Sequence, residues 1–156
     1  MLQSSYGFIM LEFIKEATNI LNSQAPYLDD RTIGKSLHFI ELLFNWHGNK
    51  YLIATRDPLY FLKRDFFDTI QFSHHLKKGK HVDIGTGAGI PGVILAILRP
   101  DDHFVLVDRR EYPIRFLQHV QLALNLENIS IEQVDVNKLS LHSTPTSIIL
   151  KNFSNK

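Results

Sequence analysis

The segment from residue 81 to residue 92 carries the densest set of residues that could bind a nucleotide. It reads His-Val-Asp-Ile-Gly-Thr-Gly-Ala-Gly-Ile-Pro-Gly, with an acid at Asp83 ahead of closely spaced glycines. Glycines permit a tight turn and let backbone N–H groups approach a ligand at a helix N-terminus. We therefore predict a nucleotide-binding loop here, in preference to a turn that contains glycine for steric reasons alone.

A second acid, Asp108, lies roughly 20 residues beyond the loop, as the ribose-binding acid of nucleotide-binding folds does. It follows the apolar stretch 103–107. Dinucleotide oxidoreductases and methyltransferases share this arrangement. The Asp-x-Gly-x-Gly-x-Gly spacing is more typical of the first methyltransferase motif, and Pro91 lacks the N–H that a pyrophosphate would bind. Both features favour a methyltransferase, with an NAD-dependent oxidoreductase as the alternative.

Two patterns of hydrophobic periodicity indicate the elements that position these acids. Residues 1–75 have helical periodicity, whereas residues 76–156 alternate short apolar strands with helical stretches, as βαβ units do. We predict helices at about 8–21, 29–46, 57–74, 93–98 and 113–125, and strands at about 80–84, 103–107, 129–134 and 147–150. The predicted fold is one α/β domain, in which a helical N-terminal extension precedes four parallel strands of a Rossmann-like sheet.

The amino-acid composition excludes several classes of function. The chain has 156 residues, 44% of them hydrophobic, and no cysteine, which excludes disulfides, thiolate metal sites and a cysteine nucleophile. Its eight histidines show no ligand spacing, so we expect no metal site. The N-terminus does not resemble a signal peptide, and no segment is apolar enough to span a bilayer. We expect a cytoplasmic protein that does not bind membranes.

The residues also resemble a known family. Segments 83–92, 99–100 and 103–108 are similar to the glucose-inhibited division protein B family, and the likeness continues through 115–117, 124–129 and 56–58, with Arg64 and Asp68. Members of that family methylate N7 of a guanine in bacterial 16S ribosomal RNA. The resemblance implies S-adenosylmethionine as the cofactor, a Rossmann-like methyltransferase fold, and 16S ribosomal RNA or the small ribosomal subunit as the partner.

The resemblance also implies cofactor contacts at particular positions. Gly85 and Ile90 match family contacts in the loop, Asp108 matches the acid on the ribose, and Val136 and Asn137 match the pair beside the adenine. Lys151 aligns with a family arginine near the cofactor, but lacks the planar fork of arginine. The full predicted cofactor set is Asp83, Gly85, Gly87, Gly89, Ile90, Asp108, Val136, Asn137 and Lys151.

Contacts to RNA are predicted at basic residues on helix starts and loops. A net charge of only +1 means that any RNA site must be a local patch. The predicted RNA-binding residues are Arg56, Arg64, Arg109, Arg110 and Arg115. No catalytic residue is assigned, because guanine N7 is unprotonated at neutral pH and its methylation needs positioning without a general base.

The sequence departs from the family at its C-terminal end. It stops at Lys156, directly after the predicted fourth strand, whereas family members continue through at least one more helix and three strands. We therefore expect a C-terminally shortened member with an exposed edge at strand four, open to pairing with another chain. The corresponding alternative function is a cofactor-binding remnant without methyltransferase activity.

Overall fold

The computed structural model describes residues 2–46 and 52–151, with side chains from residue 7 onward. The second half contains the four predicted strands, of which the first three are separated by helices, while a short 3-10 turn and a loop join the third to the fourth. The helices are α1 (Leu2–Gln24), α2 (Asp30–Asn45), α3 (Pro58–Phe61), α4 (Phe67–Ser73), α5 (Gly92–Leu98) and α6 (Glu111–Leu124). The strands are β1 (Lys80–Ile84), β2 (His103–Asp108), β3 (Ile129–Gln133) and β4 (Ser147–Leu150).

The strands form one parallel sheet in the order β3-β2-β1-β4. This order confirms the predicted Rossmann-like sheet. The direction of strand addition reverses between β1 and β4, and ligands of such sheets bind beside the carboxyl ends of the strands at this point. Among the described strands β4 pairs only with β1, so it forms one edge of the described sheet, and its Ile148 and Leu150 are exposed.

The helix boundaries follow capping residues that are visible in the sequence. The Asp29 side chain accepts the N–H of Thr32 at 2.7 Å before α2, and that of Asp57 accepts two N–H groups at the start of α3. Asn125 ends α6 in the left-handed conformation with φ 49°. Pro113 was predicted to open α6, but α6 begins at Glu111, since proline is tolerated throughout the first turn.

The predicted helix 57–74 is interrupted in its middle. α3 passes into a π-helical turn (Leu62–Phe66) before α4 continues. Leu62 and Phe66 are fully buried in this turn. The π-turn itself was not predicted, because hydrophobic periodicity does not distinguish one extra residue in a turn.

The two faces of the sheet are covered differently. On one face, α1, α2 and α4 to α6 share a single apolar cluster with strand residues such as Phe104 and Leu106. On the other face, Val82 and Val107 belong to a smaller cluster that is covered by the connection between β3 and β4. The N-terminal helices α2 and α4 therefore extend the larger cluster by packing against the helices that cover its face of the sheet. Within the described residues, no helix is long and apolar enough to cross a membrane.

Candidate nucleoside-binding site

The glycine loop turns tightly over the end of β2. The N–H groups of Gly85 and Thr86 both donate to the carbonyl oxygen of Val107, at 2.8 and 3.0 Å. Gly85, Gly87 and Gly89 have φ values of 70°, 55° and 81°, a region in which other residues are strained. A Cβ at Gly89 would also lie 2.3 Å from a methyl carbon of Val93. Glycine is thus required here by backbone conformation and by space.

The side chain of Asp83 forms hydrogen bonds to two residues of this loop. This side chain is buried, and Oδ2 accepts the hydroxyl of Thr86 at 2.7 Å and the N–H of Gly92 at 3.0 Å. Burial raises the pKa of Asp83 to about 6, although both hydrogen bonds act in the opposite direction. Because Oδ2 bonds to two residues of the loop, Asp83 stabilises the conformation of the loop.

Asp108 lies at the end of β2 beside the loop. Its Oδ2 accepts the N–H of Gly87 at 3.0 Å, and its two oxygens accept three further bonds from Arg110. Burial alone would raise the pKa of Asp108, but the hydrogen bonds from Arg110 and Gly87 outweigh it and hold that pKa below its usual range. Asp108 therefore remains an ionised acceptor next to Gly87.

Lys151 follows β4 and contacts the π-turn. Its Nζ lies 3.2 Å from Oδ1 of Asp65, while Arg64 donates to Oδ2 of the same carboxylate at 2.9 and 2.6 Å. Arg64 also lies over the ring of Tyr60, at 4.7 Å from its centre. One nearly buried acid thus joins two cations that come from distant parts of the sequence.

A cleft of about 240 Å³ separates α4 from the carboxyl end of β4. It is lined by Asp68, Thr69, Phe72, Pro91, Ile149, Leu150 and Lys151. Since Pro91 belongs to the glycine loop and Lys151 to the end of β4, the cleft adjoins both sides of the point where strand order reverses. Within residues 2–46 and 52–151, no group of three or more acidic or histidine side chains could hold a metal ion.

Comparison with known proteins identifies the family. The family described as rRNA small subunit methyltransferase G matches residues 32–155. The chain belongs to this family. Ribosomal RNA small subunit methyltransferase G of Yersinia enterocolitica is 35% identical over 141 residues, which cover 90% of this chain and 68% of that relative. The enzyme of the same name from Pectobacterium carotovorum is 35% identical over 87% of this chain and 66% of its own length.

A solved structure supports the fold of this family member. The chain superposes on coclaurine N-methyltransferase, a structure bound to N-methylheliamine and S-adenosylhomocysteine, with a TM-score of 0.53 and 13% identity. The superposition covers 90% of this chain and 43% of the other. The predicted Rossmann-like methyltransferase fold is therefore confirmed. Family membership also confirms the predicted class, S-adenosylmethionine-dependent methyltransferases, over the NAD-dependent oxidoreductases.

The remaining positions that the resemblance predicts to contact the cofactor lie in the loop and after β3. Ile90 is half-buried in the loop itself. Val136 is half-buried in a 3-10 turn (Val136–Lys138) after β3 and packs against the smaller apolar cluster. Asn137 is exposed, and both its backbone N–H and its side-chain amide donate to Oδ1 of Asp135. A bond to Asp135 fixes the amide orientation and leaves the carbonyl oxygen of Asn137 as its acceptor.

The structure divides the predicted RNA-binding arginines into two groups. Arg109, Arg110 and Arg115 lie around the start of α6, while Arg56 and Arg64 lie before α3 and on the π-turn. Arg110 and Arg64 are bonded to buried acids, and Arg115 faces Glu111 at 3.9 Å, where both side chains are exposed. Arg109 is exposed and forms no ion pair with a described residue.

Three residues of this region were missed by the sequence analysis. Thr86 and Gly92 complete the hydrogen bonds of Asp83, and a Cβ at Gly92 would lie 2.5 Å from Oδ2 of that acid. The hydroxyl three residues after an acid in a glycine loop was the available signal for Thr86. Asp65 carried no such signal, because its partner Lys151 is 86 residues away.

Proposed function

We propose that this chain binds S-adenosylmethionine at the glycine loop and methylates N7 of a guanine in small-subunit ribosomal RNA. The observation that carries the proposal is the position of Asp108. A nearly buried, ionised carboxylate at the end of β2 accepts the N–H of Gly87, in a chain that belongs to the rRNA small subunit methyltransferase G family.

The residues present fit a bound nucleoside. Gly85, Gly87 and Gly89 have positive φ values and carry no side chains of their own, so their backbone atoms can approach a ligand. Asp108 is the acceptor for the ribose hydroxyls. Val136 offers an apolar surface for the adenine, and the carbonyl oxygen of Asn137 can accept its amino group.

The acceptor base fits best in the cleft between α4 and β4. The cleft adjoins Pro91 of the loop and Lys151 at the end of β4, and the exposed ring of Phe72 offers a surface on which a base can stack. When bound, S-adenosylmethionine supplies the methyl group and its sulfonium leaving group. Guanine N7 carries an unprotonated lone pair, so the chain has to orient the base and exclude water, and needs no general base.

Ribosomal RNA is the proposed partner because of the family and the exposed arginines. Arg109 and Arg115 at the start of α6, with Arg56 before α3, offer cations to phosphates without a large net charge. We expect the proposed activity in the cytoplasm, where small ribosomal subunits assemble. Charge reversal at Arg56 should weaken RNA binding in a salt-dependent way, and an unchanged salt slope would remove Arg56 from the interface.

The proposal is tested by methyl transfer from labelled S-adenosylmethionine to small-subunit RNA and to assembled subunits. Label in RNA, with the site read as N7-methylguanosine by mass spectrometry, is the expected result. Cofactor binding without label in either substrate would support the alternative of a cofactor-binding remnant. The chain spans 68% and 66% of the lengths of the two relatives described above.

A further inference from the structure

Asp108 and Arg110 are joined more completely than an ordinary surface ion pair. Oδ1 of Asp108 accepts the backbone N–H and the Nε of Arg110, each at 3.0 Å. Oδ2 accepts Nη2 of Arg110 and the N–H of Gly87, also each at 3.0 Å. A carboxylate has about four acceptor positions, so the acid proposed to bind the ribose is saturated by bonds within the chain.

These bonds divide into a fixed and an exchangeable pair. The backbone N–H groups of Gly87 and Arg110 are held by the loop and by the chain entering α6. The bonds from Nε and Nη2 depend on the Arg110 side chain, which is 61% exposed while that of Asp108 is 4% exposed. A Cβ built on Gly87 would lie 3.6 Å from Nη2, so the guanidinium lies over the glycine loop.

The two hydrogen bonds of the exchangeable pair equal in number the two that a ribose can donate. The two adjacent hydroxyls of a ribose can donate two hydrogen bonds to one carboxylate. Rotation of the Arg110 side chain towards solvent frees two acceptor positions on Asp108 and leaves the two backbone bonds in place. Arg110 and the ribose therefore compete for the same two acceptor positions of Asp108. The charged guanidinium makes stronger hydrogen bonds to them than the neutral hydroxyls do.

Once it leaves Asp108, the guanidinium can turn towards solvent, where the carboxylate of the adjacent Glu111 faces Arg115 at 3.9 Å. Arg110 is the N-cap residue of α6, close in sequence to exposed Arg109 and Arg115. A guanidinium binds phosphate through two parallel hydrogen bonds, as it binds a carboxylate. A phosphate of RNA can therefore take the place that Asp108 held.

We propose that Arg110 exchanges between Asp108 and an RNA phosphate, so that binding of the cofactor ribose releases it and strengthens RNA binding. This inference rests on the proposed function, because it takes the cofactor and RNA as ligands of the chain. By linkage, RNA must strengthen cofactor binding by the same factor. The exchange makes the cofactor-loaded chain the form that binds RNA best.

The test compares wild type with Arg110→Ala and, as a matched control, the neighbouring Arg109→Ala. S-adenosylhomocysteine is used as the ligand, since it binds without methyl transfer, and a small-subunit ribosomal RNA transcript is the RNA probe. Calorimetry gives the affinity for S-adenosylhomocysteine, and fluorescence anisotropy gives RNA affinity with and without it at fixed salt.

Saturating S-adenosylhomocysteine is expected to tighten RNA binding by wild type about fivefold, a typical size for coupling between sites. Arg110→Ala should bind S-adenosylhomocysteine more tightly than wild type and show the same RNA affinity with and without it. Arg109→Ala should bind RNA more weakly in both states and keep the fivefold ratio.

Two results would overturn the exchange while leaving the proposed function intact. One is an equal RNA affinity of wild type with and without bound S-adenosylhomocysteine. The other is weaker S-adenosylhomocysteine binding by Arg110→Ala, which would make Arg110 a cofactor contact and not a competitor. Absence of S-adenosylhomocysteine binding in all three proteins is a different result, since it contradicts the proposed function itself.

Discussion

Oδ2 of Asp83 accepts the backbone N–H of Gly92 at 3.0 Å and so ties the end of β1 to the first residue of α5. The same oxygen accepts the hydroxyl of Thr86. One buried oxygen thus fixes both ends of the glycine loop. Contacts within the chain therefore hold the loop in its shape. A ligand can bind to it without the entropic cost of ordering the backbone.

Replacement of Asp83 by Asn should change how stability depends on pH. The folded-state pKa of Asp83, about 6, lies above the ordinary value of 3.8. Asp83 therefore makes its full contribution to the free energy of unfolding below pH 3.8, and this contribution is lost as the pH rises through 6. The difference is about 2 pH units, or about 3 kcal/mol. Asp83→Asn should therefore gain stability relative to wild type between pH 4 and pH 7.

The measurement for Asp83→Asn is urea unfolding of both proteins at several pH values. An asparagine carbonyl oxygen can still accept from Thr86 and Gly92, so the fold should persist. His81, whose pKa is lowered mainly by burial, titrates in both proteins and cancels in the difference. Parallel stability curves between pH 4 and pH 7 would contradict a raised pKa for Asp83.

Alanine at Gly89 should destabilise the chain and distort the loop. The residue has φ 81°, and its Cβ would lie 2.3 Å from a methyl carbon of Val93 and 2.9 Å from one of Leu117. Both strain and overpacking act, so a loss of about 2–4 kcal/mol is expected. Thermal and urea unfolding measure this loss.

Gly34 supplies the matched control for Gly89→Ala. It lies in α2, and a Cβ there would meet no atom within 4 Å. Gly34→Ala should stabilise the chain by about 0.5–1 kcal/mol, because alanine loses less conformational entropy than glycine in a helix. If both alanine variants changed stability alike, the special role of Gly89 in the loop would be refuted.

Removal of the charge at Asp65 should destabilise the junction between the π-turn and β4. Asp65→Asn leaves Arg64 and Lys151 near each other without their shared acid. Loss of this nearly buried partner is expected to cost about 1–3 kcal/mol in the free energy of unfolding. Asp68→Asn, an exposed acid one turn further along, should change it by less than about 0.5 kcal/mol. Equal effects of the two variants would show that Asp65 does not hold the junction.

Much of the fold follows from local sequence signals. Alternating apolar stretches predict all four strands to within one residue at each end, because each strand is bounded by polar or turn-forming residues. Asp29, Asp57 and Asn125 mark helix ends through side-chain caps and a left-handed residue. The loop glycines and Asp108 likewise form a motif that is recognisable within a short stretch of sequence. Their proximity in the folded chain could therefore be predicted.

The parts that were not predicted depend on contacts between distant residues. The bond between Asp65 and Lys151 spans 86 residues, and no local pattern indicates which acid meets which cation. Arg110 was predicted to bind RNA and Asp108 to bind the cofactor, but the structure joins the two side chains. Such a pairing depends on side-chain rotamers, which sequence spacing does not specify. The residues after Lys151 lie outside the described part of the chain.

Titration of S-adenosylhomocysteine into the wild-type chain and Asp108→Asn tests the central claim most directly. The asparagine variant keeps an acceptor for Gly87 but loses the ionised carboxylate. We predict saturable binding of one ligand to wild type, weakened at least about tenfold in the variant, as expected for the loss of charge-assisted hydrogen bonds. No saturable heat in wild type up to about 1 mM ligand, or equal affinities of the two proteins, would contradict the proposed site.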